Sequence, residues 1–340
     1  MDGTYGIISL LPVVVVIVSA IITKRALEPL ILGTLVAFVI LAKHKFVAAY
    51  LGALIYTIAN VDNAGFIITF GLFGIYIKLL TDANATSGFT KLALKFANTK
   101  KKTGVLAWFM GIIFFLDNYF SILGAAVSNQ RIADKNKMSR EMFAFAVNVV
   151  SCATCILVPY ALWGTFMSGQ IEIALGLETG KNLGLGELIK SIPFMFYAWI
   201  SLAFVLLYQL RIIRPFGQMR LAEERAETTG QLLPPDRADQ HPPEEEKPDT
   251  SIFNFLIPMV VLIVITLWTT QLNYGLIAGI ALCFIMYIPQ KLIKFGEAFD
   301  SICIGFSDMI VVTAIVISAF TLQNANDQLG MASFVVDSVV

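Results

Sequence analysis

The sequence predicts an all-α, polytopic membrane protein, because it is unusually hydrophobic and its charges are concentrated in one segment. Of 340 residues, 57% are hydrophobic and 14% are charged, whereas about a quarter of an ordinary soluble domain is charged. Thirteen of the 48 charged residues fall between 217 and 250, which leaves long apolar runs elsewhere. This composition excludes a disordered tail, a secreted disulfide scaffold and a basic nucleic-acid binder.

Seven apolar runs are long enough for membrane helices, which need about 17–25 residues. They cover residues 6–23, 26–42, 64–81, 189–212, 253–270, 274–289 and 307–323. Lys24 and Arg25 follow the first run, the reverse of a signal peptide, so we expect it to remain as a helix. The shorter run 46–60 fits either an interfacial position or a tilted entry into the bilayer. Asp308 precedes the apolar part of the last run and is expected to be a helix N-cap.

Two further runs are interrupted by polar or helix-breaking residues. Asp117 and Asn118 cut the apolar stretch 104–130, which predicts a helical hairpin with its tip inside the membrane. The stretch 141–175 contains Pro159 and Gly164 and is expected to be a broken helix. Irregular backbone at membrane depth is tolerated where it is buried in protein or lines a cavity, as in many transporters.

The basic residues predict the orientation. If the N-terminus is outside, the hairpin enters and leaves on the cytoplasmic side and 46–60 does not cross, 19 Lys and Arg residues lie inside, four lie outside and Lys78 falls within a span. This bias is typical of a multi-pass protein of the bacterial inner membrane. Residues 217–250 hold five of the twelve prolines and an acidic run at 244–246, so we expect a solvated cytoplasmic linker.

Collinear matches suggest an internal repeat. Residues 11–14 match 257–260 at an offset of 246, and residues 83–85 match 325–327 at an offset of 242. Because the two copies begin on opposite sides, the repeat is predicted to be inverted. Residues 1–216 form the first repeat, and residues 251–340 form the start of a second repeat that is expected to be incomplete.

Polar residues near the two interruptions are candidates for a site. Hydroxyl, amide, carboxylate and freed carbonyl oxygens can replace the hydration shell of an alkali cation. An alternative is that Asp117 and Asn118 cap a helix and that the small polar residues hold helices together. The candidate sodium ligands are Asp117, Asn118, Ser121, Asn148 and Ser151, and the candidate solute contacts are Asp117, Tyr119, Asn148, Thr154 and Trp163.

The sequence does not predict an enzyme or a bound cofactor. It lacks H-E-x-x-H, Walker and Rossmann patterns. Cys152 and Cys155 have a spacing seen in metal and redox sites, but no second pair accompanies them, so we expect them to pack as small apolar residues. The expected partners are the lipid bilayer, Na⁺, and either H⁺ or a small organic solute.

The sequence resembles the NhaC-type sodium/proton antiporter family of the ion transporter superfamily. The resemblance rests on residues 115–121 (FLDNYFS), 132–135 (IADK), 138–141 (MSRE), and Pro159 followed by Trp163 and Gly164. It implies two inverted repeats, re-entrant hairpins, a homodimer and sodium-linked transport.

Three positions depart from the family pattern. Asn118 and Asn148 stand where the family has Asp, and Ser121 stands where it has Asn. An amide can coordinate sodium but cannot carry a proton, so Asp117 is left as the main group for which sodium and a proton would compete. Sodium/proton antiport is the leading expectation. Sodium-coupled symport or exchange of an amino acid or organic acid is the alternative, and a structural membrane protein is a third.

Overall fold

A computed structural model describes residues 5–115, 118–176, 183–235, 249–269 and 271–339. All regular structure within these ranges is helical, which confirms the all-α class. In the described part of the chain, five helical stretches are long and apolar enough to cross a membrane, and a bent pair, Leu183–Phe194 with Phe196–Gln209, would make a sixth. The five are Gly6–Thr23, Leu27–Ala59, Asn63–Asp82, Arg140–Leu157 and Phe295–Gln328. These features are those of a multi-pass membrane protein.

The chain divides into two compact units, Met1–Ile75 with Ile302–Val340, and Tyr76–Ser301. The described residues of the first unit contain two 3₁₀ turns, Gly6–Leu10 and Lys43–Lys45, and seven helices, two of which continue into the second unit. These helices are α1 (Leu11–Thr23), α2 (Leu27–Ala42), α3 (Phe46–Ala59), α4 (Val61–Asp82, in part), α16 (Ile310–Gln328) and α17 (Met331–Val339), with the end of α15 (Phe295–Asp308).

Helices α2 and α3 fold back on each other, so Leu27–Ala59 is not one straight helix. Lys43 adopts a left-handed backbone (φ 48°) at the turn. The rings of Phe38 and Tyr50 lie edge to face with centroids 6.1 Å apart, which twelve residues along a straight helix would not allow. Ala53 joins Phe38 in a buried cluster with residues of α16. The run 46–60, whose position the sequence leaves open, is therefore a helix packed on α2 and α16.

Helices α4 and α15 cross at backbone contact within the first unit. A Cβ atom added at Gly74 would overlap the carbonyl oxygen of Gly305, and one added at Gly305 would approach the Gly74 carbonyl oxygen to 2.5 Å. Both positions therefore need glycine for close packing.

The expectation of a span at 307–323 that begins with an Asp308 N-cap is corrected. Asp308 is the last residue of α15, and Met309 precedes the first residue of α16. The two helices together form an apolar stretch of 34 residues. Gly305 lies within α15 and does not interrupt it. Its lack of a side chain allows the backbone of α4 to approach closely.

Outside the gaps at 116–117, 177–182, 236–248 and 270, the second unit contains ten complete helices and a 3₁₀ turn, Ile192–Phe194. The helices are α5 (Ser87–Phe96), α6 (Lys100–Ile113), α7 (Asn118–Lys135), α8 (Arg140–Leu157), α9 (Leu162–Ala174), α10 (Leu183–Ser191), α11 (Phe196–Gln209), α12 (Gly217–Thr228), α13 (Phe253–Thr269) and α14 (Leu272–Tyr287). Helices α6, α8 and α11 pack around a core of Ala146, Val150 and Val205.

The span expected at 189–212 corresponds to a bent pair of helices. Helix α10 and its 3₁₀ turn meet α11 at an angle of 51°. Pro193 lies in the first turn of the 3₁₀ segment, where its missing N–H and its clash with the preceding turn favour a bend in the helix.

The expectation that residues 217–250 are solvated throughout is corrected at their beginning. Residues 217–228 form helix α12, in which Ala222, Glu223 and Ala226 are buried. Glu223 accepts hydrogen bonds from the backbone N–H of Ser139, at 2.9 Å, and from its hydroxyl, at 2.8 Å. The carboxylate also pairs with Arg211 and Lys100. These partners compensate for removing the charge from water. Residues 236–248 lie outside the described residues.

Candidate functional site

The interrupted stretch 104–130 forms a pair of antiparallel helices. Helix α6 ends at Ile113 and α7 begins at Asn118. Side-chain contacts join Thr103 to Asn136 at one end and Gly111 to Ser121 at the other. Leu116 and Asp117 lie outside the described residues, as does the side chain of Tyr119. The helical hairpin is therefore present, whereas entry of its tip into a membrane stays a prediction.

The stretch 141–175 is broken where the sequence indicates. Helix α8 starts with a Ser139 N-cap, whose hydroxyl accepts from the N–H of Met142, and ends at Leu157. Helix α9 begins at Leu162, after a turn that contains Pro159. Gly164 packs against this turn so closely that a Cβ atom would meet the backbone of Pro159. Proline and glycine thus produce the break together.

A serine pair joins the hairpin to the broken helix. The Oγ atoms of Ser121 on α7 and Ser151 on α8 lie 2.6 Å apart, and both residues are fully buried. The Ser121 Oγ also lies 3.0 Å from the carbonyl oxygen of Gly111, in the last turn of α6. Last-turn carbonyls have no partner within their own helix. Ser121 therefore connects three helix segments through one hydroxyl.

A second connection joins the start of α7 to the start of α9. The indole Nε1–H of Trp163 donates to Asn118 Oδ1 at 3.0 Å. The two residues come from the two interruptions, which are thus next to each other in the unit. Cys155 adds a weaker contact, because its Sγ lies 3.4 Å from the carbonyl oxygen of Phe115.

The structure places the two remaining candidates of α8 differently. Thr154 is buried, and its hydroxyl has no hydrogen-bond partner among the described residues. Asn148 is exposed, and its Oδ1 lies 3.9 Å from Cys152 Sγ. Ser151 and Thr154 therefore lie inside the packed unit with Ser121, whereas Asn148 does not join this group. Its position follows from helix geometry, because residues six apart are about 120° apart around the axis.

A cavity of about 420 Å³ lies beside the two interruptions. Its walls are mainly apolar, with the Asn118 amide and two thiols as polar groups. The nine described lining residues are Asn118, Cys152, Cys155, Ile156, Trp163, Gly164, Met167, Leu188 and Met195. Asn118 and Trp163 were expected from the sequence. Leu188 and Met195 were not, since they reach the cavity only through the bend between α10 and α11.

The described residues offer hydroxyl and amide oxygens rather than a cluster of acidic or imidazole ligands. No group of three or more His, Cys, Asp or Glu side chains could hold a metal within the described part of the chain. Ser121, Ser151 and Thr154 supply three buried hydroxyls on neighbouring helices. Hard oxygen atoms of this kind suit an alkali cation, and a buried hydroxyl without a partner, such as that of Thr154, is an available ligand.

Comparison with known proteins identifies one distant similarity. The chain is 22% identical over 277 residues to an uncharacterized protein of Haemophilus influenzae, and the match covers 78% of this chain and 51% of that protein. The chain thus spans about half the length of this relative. No protein-family model matches the sequence, and no solved structure is similar to it.

Proposed function

We propose that this protein is a sodium-linked secondary active transporter of the bacterial inner membrane. Sodium/proton antiport by alternating access is its leading activity. We also propose that the protein is related to the NhaC-type family that it resembles and that it assembles as a homodimer. Its N-terminus would lie outside, and residues 217–250 would lie in the cytoplasm. The observation that carries it is the meeting of two interrupted helices, α6–α7 and α8–α9, through the Ser121–Ser151 and Asn118–Trp163 contacts.

Interrupted helices are the common way in which secondary transporters build an ion site. Helix ends expose backbone carbonyl and amide groups that would be hydrogen-bonded to each other within a regular helix. Side-chain oxygens then complete the coordination of the ion. Here Ser121, Ser151 and Thr154 are buried in this region. In the proposed mechanism sodium binds these oxygens together with Asn118 and Asp117. Asp117 releases its proton when sodium enters and takes up a proton when sodium leaves.

The apolar cavity supports a second candidate function, sodium-coupled movement of an amino acid or organic acid. A bare ion gains nothing from walls of Ile156, Leu188 and Met195. Small-solute sites are typically apolar with a few placed polar groups, and the volumes of such sites begin near 300 Å³. The cavity of about 420 Å³ meets this description. In this candidate, sodium still binds near the serine pair and the solute occupies the cavity.

Transport by the purified protein in proteoliposomes tests both candidates. An imposed sodium gradient should move protons, reported by an internal pH dye, when no organic solute is present. Asp117→Asn should abolish this proton movement, whereas Asp308→Asn, which removes a carboxylate at the end of α15, should leave it unchanged. A sodium flux that needs an added solute and moves no proton would overturn antiport in favour of the second candidate. No sodium-linked flux of either kind would overturn both.

A further inference from the structure

The cavity beside the two interruptions is unusually rich in sulfur. Cys152, Cys155, Met167 and Met195 are four of its nine described lining residues. The whole chain has four cysteines and eleven methionines among 340 residues, about one sulfur-bearing residue in 23. Nine residues taken at that frequency would include fewer than one. Leucine, isoleucine and valine would fill an apolar cavity as well or better, so packing alone does not explain the choice.

The four sulfur-bearing side chains approach the cavity from three segments. Cys152 and Cys155 are one turn apart on α8, a spacing that places Cβ atoms about 5–6 Å apart on one helix face. Met167 lies on α9, and Met195 lies between the 3₁₀ turn and α11. Two thiols on one wall therefore face a cavity whose other walls carry two thioethers. Methionine is flexible enough to adjust its sulfur position to a ligand.

This set of groups selects a particular class of ligand. Thiolate and thioether sulfur are soft donors and prefer Cu(I) to Na⁺, Mg²⁺ or Ca²⁺, which take oxygen ligands. The described lining contains no carboxylate, so a hard cation would lose its hydration without compensation. A monovalent soft cation needs only one thiolate to neutralise it, which makes its entry into apolar surroundings feasible.

The geometry points to a soft-metal site in which Cys152, Cys155, Met167 and Met195 bind one Cu(I) ion or its analogue Ag(I). When the ion binds, one of the Cys152 and Cys155 thiols releases its proton to solvent and the other binds through its neutral sulfur, so the site carries no net charge; metal–sulfur bonds form and no electron is transferred. The weak contacts of these thiols with Asn148 Oδ1 and the Phe115 carbonyl oxygen are given up. The site does not depend on sodium-linked transport, although an ion bound there would fill part of the cavity.

Metal binding by the purified full chain tests the site directly. Cu(I) is titrated under reducing, oxygen-free conditions against a coloured Cu(I) chelator, and Ag(I) binding is followed by calorimetry. We expect one ion per chain and a sulfur-only first shell in the copper X-ray absorption spectrum. Cys152→Ser with Cys155→Ser should abolish tight binding. Cys283→Ser with Cys303→Ser removes the two cysteines outside the cavity and should have no effect.

The methionine variants separate the four-sulfur site from a simple dithiol. Met167→Leu and Met195→Leu keep the side-chain volume and should preserve folding, as size-exclusion chromatography and circular dichroism can verify. Each should weaken Cu(I) affinity by about tenfold, the order of loss typical for removing a supporting group at a metal site. Unchanged affinity in both methionine variants, or wild-type affinity in the double serine variant, would overturn the assignment. This result is independent of the transport assay, so either proposal can fail while the other stands.

Discussion

The Ser121 hydroxyl donates both to Ser151 and to a carbonyl oxygen in the last turn of helix α6. The two serine Oγ atoms are 2.6 Å apart, and the Ser121 Oγ is 3.0 Å from the Gly111 carbonyl oxygen. A hydroxyl has one proton to donate. Ser121 is the donor in both contacts and therefore divides this one proton between Ser151 Oγ and the Gly111 carbonyl oxygen. The two serines have unequal roles, because Ser121 takes part in both contacts and Ser151 in one of them.

Ser121→Ala should destabilise the protein more than Ser151→Ala. The first change leaves the buried Gly111 carbonyl without its side-chain partner and should cost about 2 kcal/mol. The second leaves the Ser121–Gly111 bond intact and should cost about 1 kcal/mol or less. Thermal unfolding of the single and double variants in one detergent measures the difference, and the double-mutant cycle should show a coupling of about 0.5 kcal/mol or more. Equal losses with no coupling would contradict the shared role of Ser121 in both contacts.

Trp163→Phe should weaken sodium binding without lowering the maximum transport rate. It keeps an aromatic ring in the cavity wall but removes the Nε1–H donor to Asn118. One such bond is worth about 1 kcal/mol, which corresponds to about a fivefold change in the half-saturating sodium concentration. The sodium dependence of flux in proteoliposomes measures this shift.

Trp199 provides a matched control for the Trp163→Phe experiment. Trp199 also donates its Nε1–H at 3.0 Å, but to the Ile192 carbonyl oxygen and outside the cavity lining. Trp199→Phe removes an equivalent bond and should leave the sodium dependence unchanged. An equal shift in both variants would mean that the effect is general stability and not local to the interruptions.

The sequence predicts the helical class and the two interruptions because both depend on local composition. Long apolar runs identify the helices, and Asp117 or Pro159 within such a run indicates a break. The bend at Pro193 is harder to predict, because a proline in a first turn is compatible with a helix start as well as a break. Cavity residues such as Leu188 and Met195 depend on how distant segments pack, which a single sequence does not encode locally.

Helix α12 shows how a charged composition can lead to a wrong prediction of solvent exposure. The charges of residues 217–250 indicate a solvated segment, yet Ala222 and Ala226 lie one turn apart and are buried. Their spacing is a helical signal. The charge of Glu223 is buried as well because Arg211, Lys100 and Ser139 meet it, and partners that come from other helices cannot be recognised from the segment alone.

Gly74→Ala should destabilise the first unit, because the new methyl group would overlap the carbonyl oxygen of Gly305. Overpacking of this kind costs about 1–3 kcal/mol. Gly65→Ala is the control on the same helix, where a Cβ atom would meet nothing within 4 Å, and it should gain about 0.5–1 kcal/mol from helix propensity. Thermal unfolding of the two variants should shift in opposite directions. A stable Gly74→Ala protein would mean that α4 and α15 do not cross at this position.

Helix α12 should remain docked at acidic pH and should lose its pH response when Glu223 is neutralised. Burial raises the pKa of Glu223, but hydrogen bonds from Arg211 and Ser139 outweigh it, so the pKa lies below its usual value. Docking is therefore fully stabilised above the ordinary glutamate pKa of about 4.3 and weakens only as the pH falls through the lower folded value. Glu223→Gln leaves Arg211 without its carboxylate, whereas Lys100 keeps its pair with Glu227, and should weaken docking by about 3 kcal/mol at neutral pH. The mobility of a spin label at the exposed Thr228, recorded from about pH 7 to about pH 3, reports docking.

The control for this experiment is Glu224→Gln, which breaks only the exposed pair with Arg220 and should leave docking unchanged. Release of the wild-type helix at or above the ordinary glutamate pKa would show that Arg211 and Ser139 do not hold Glu223 in its ionised form.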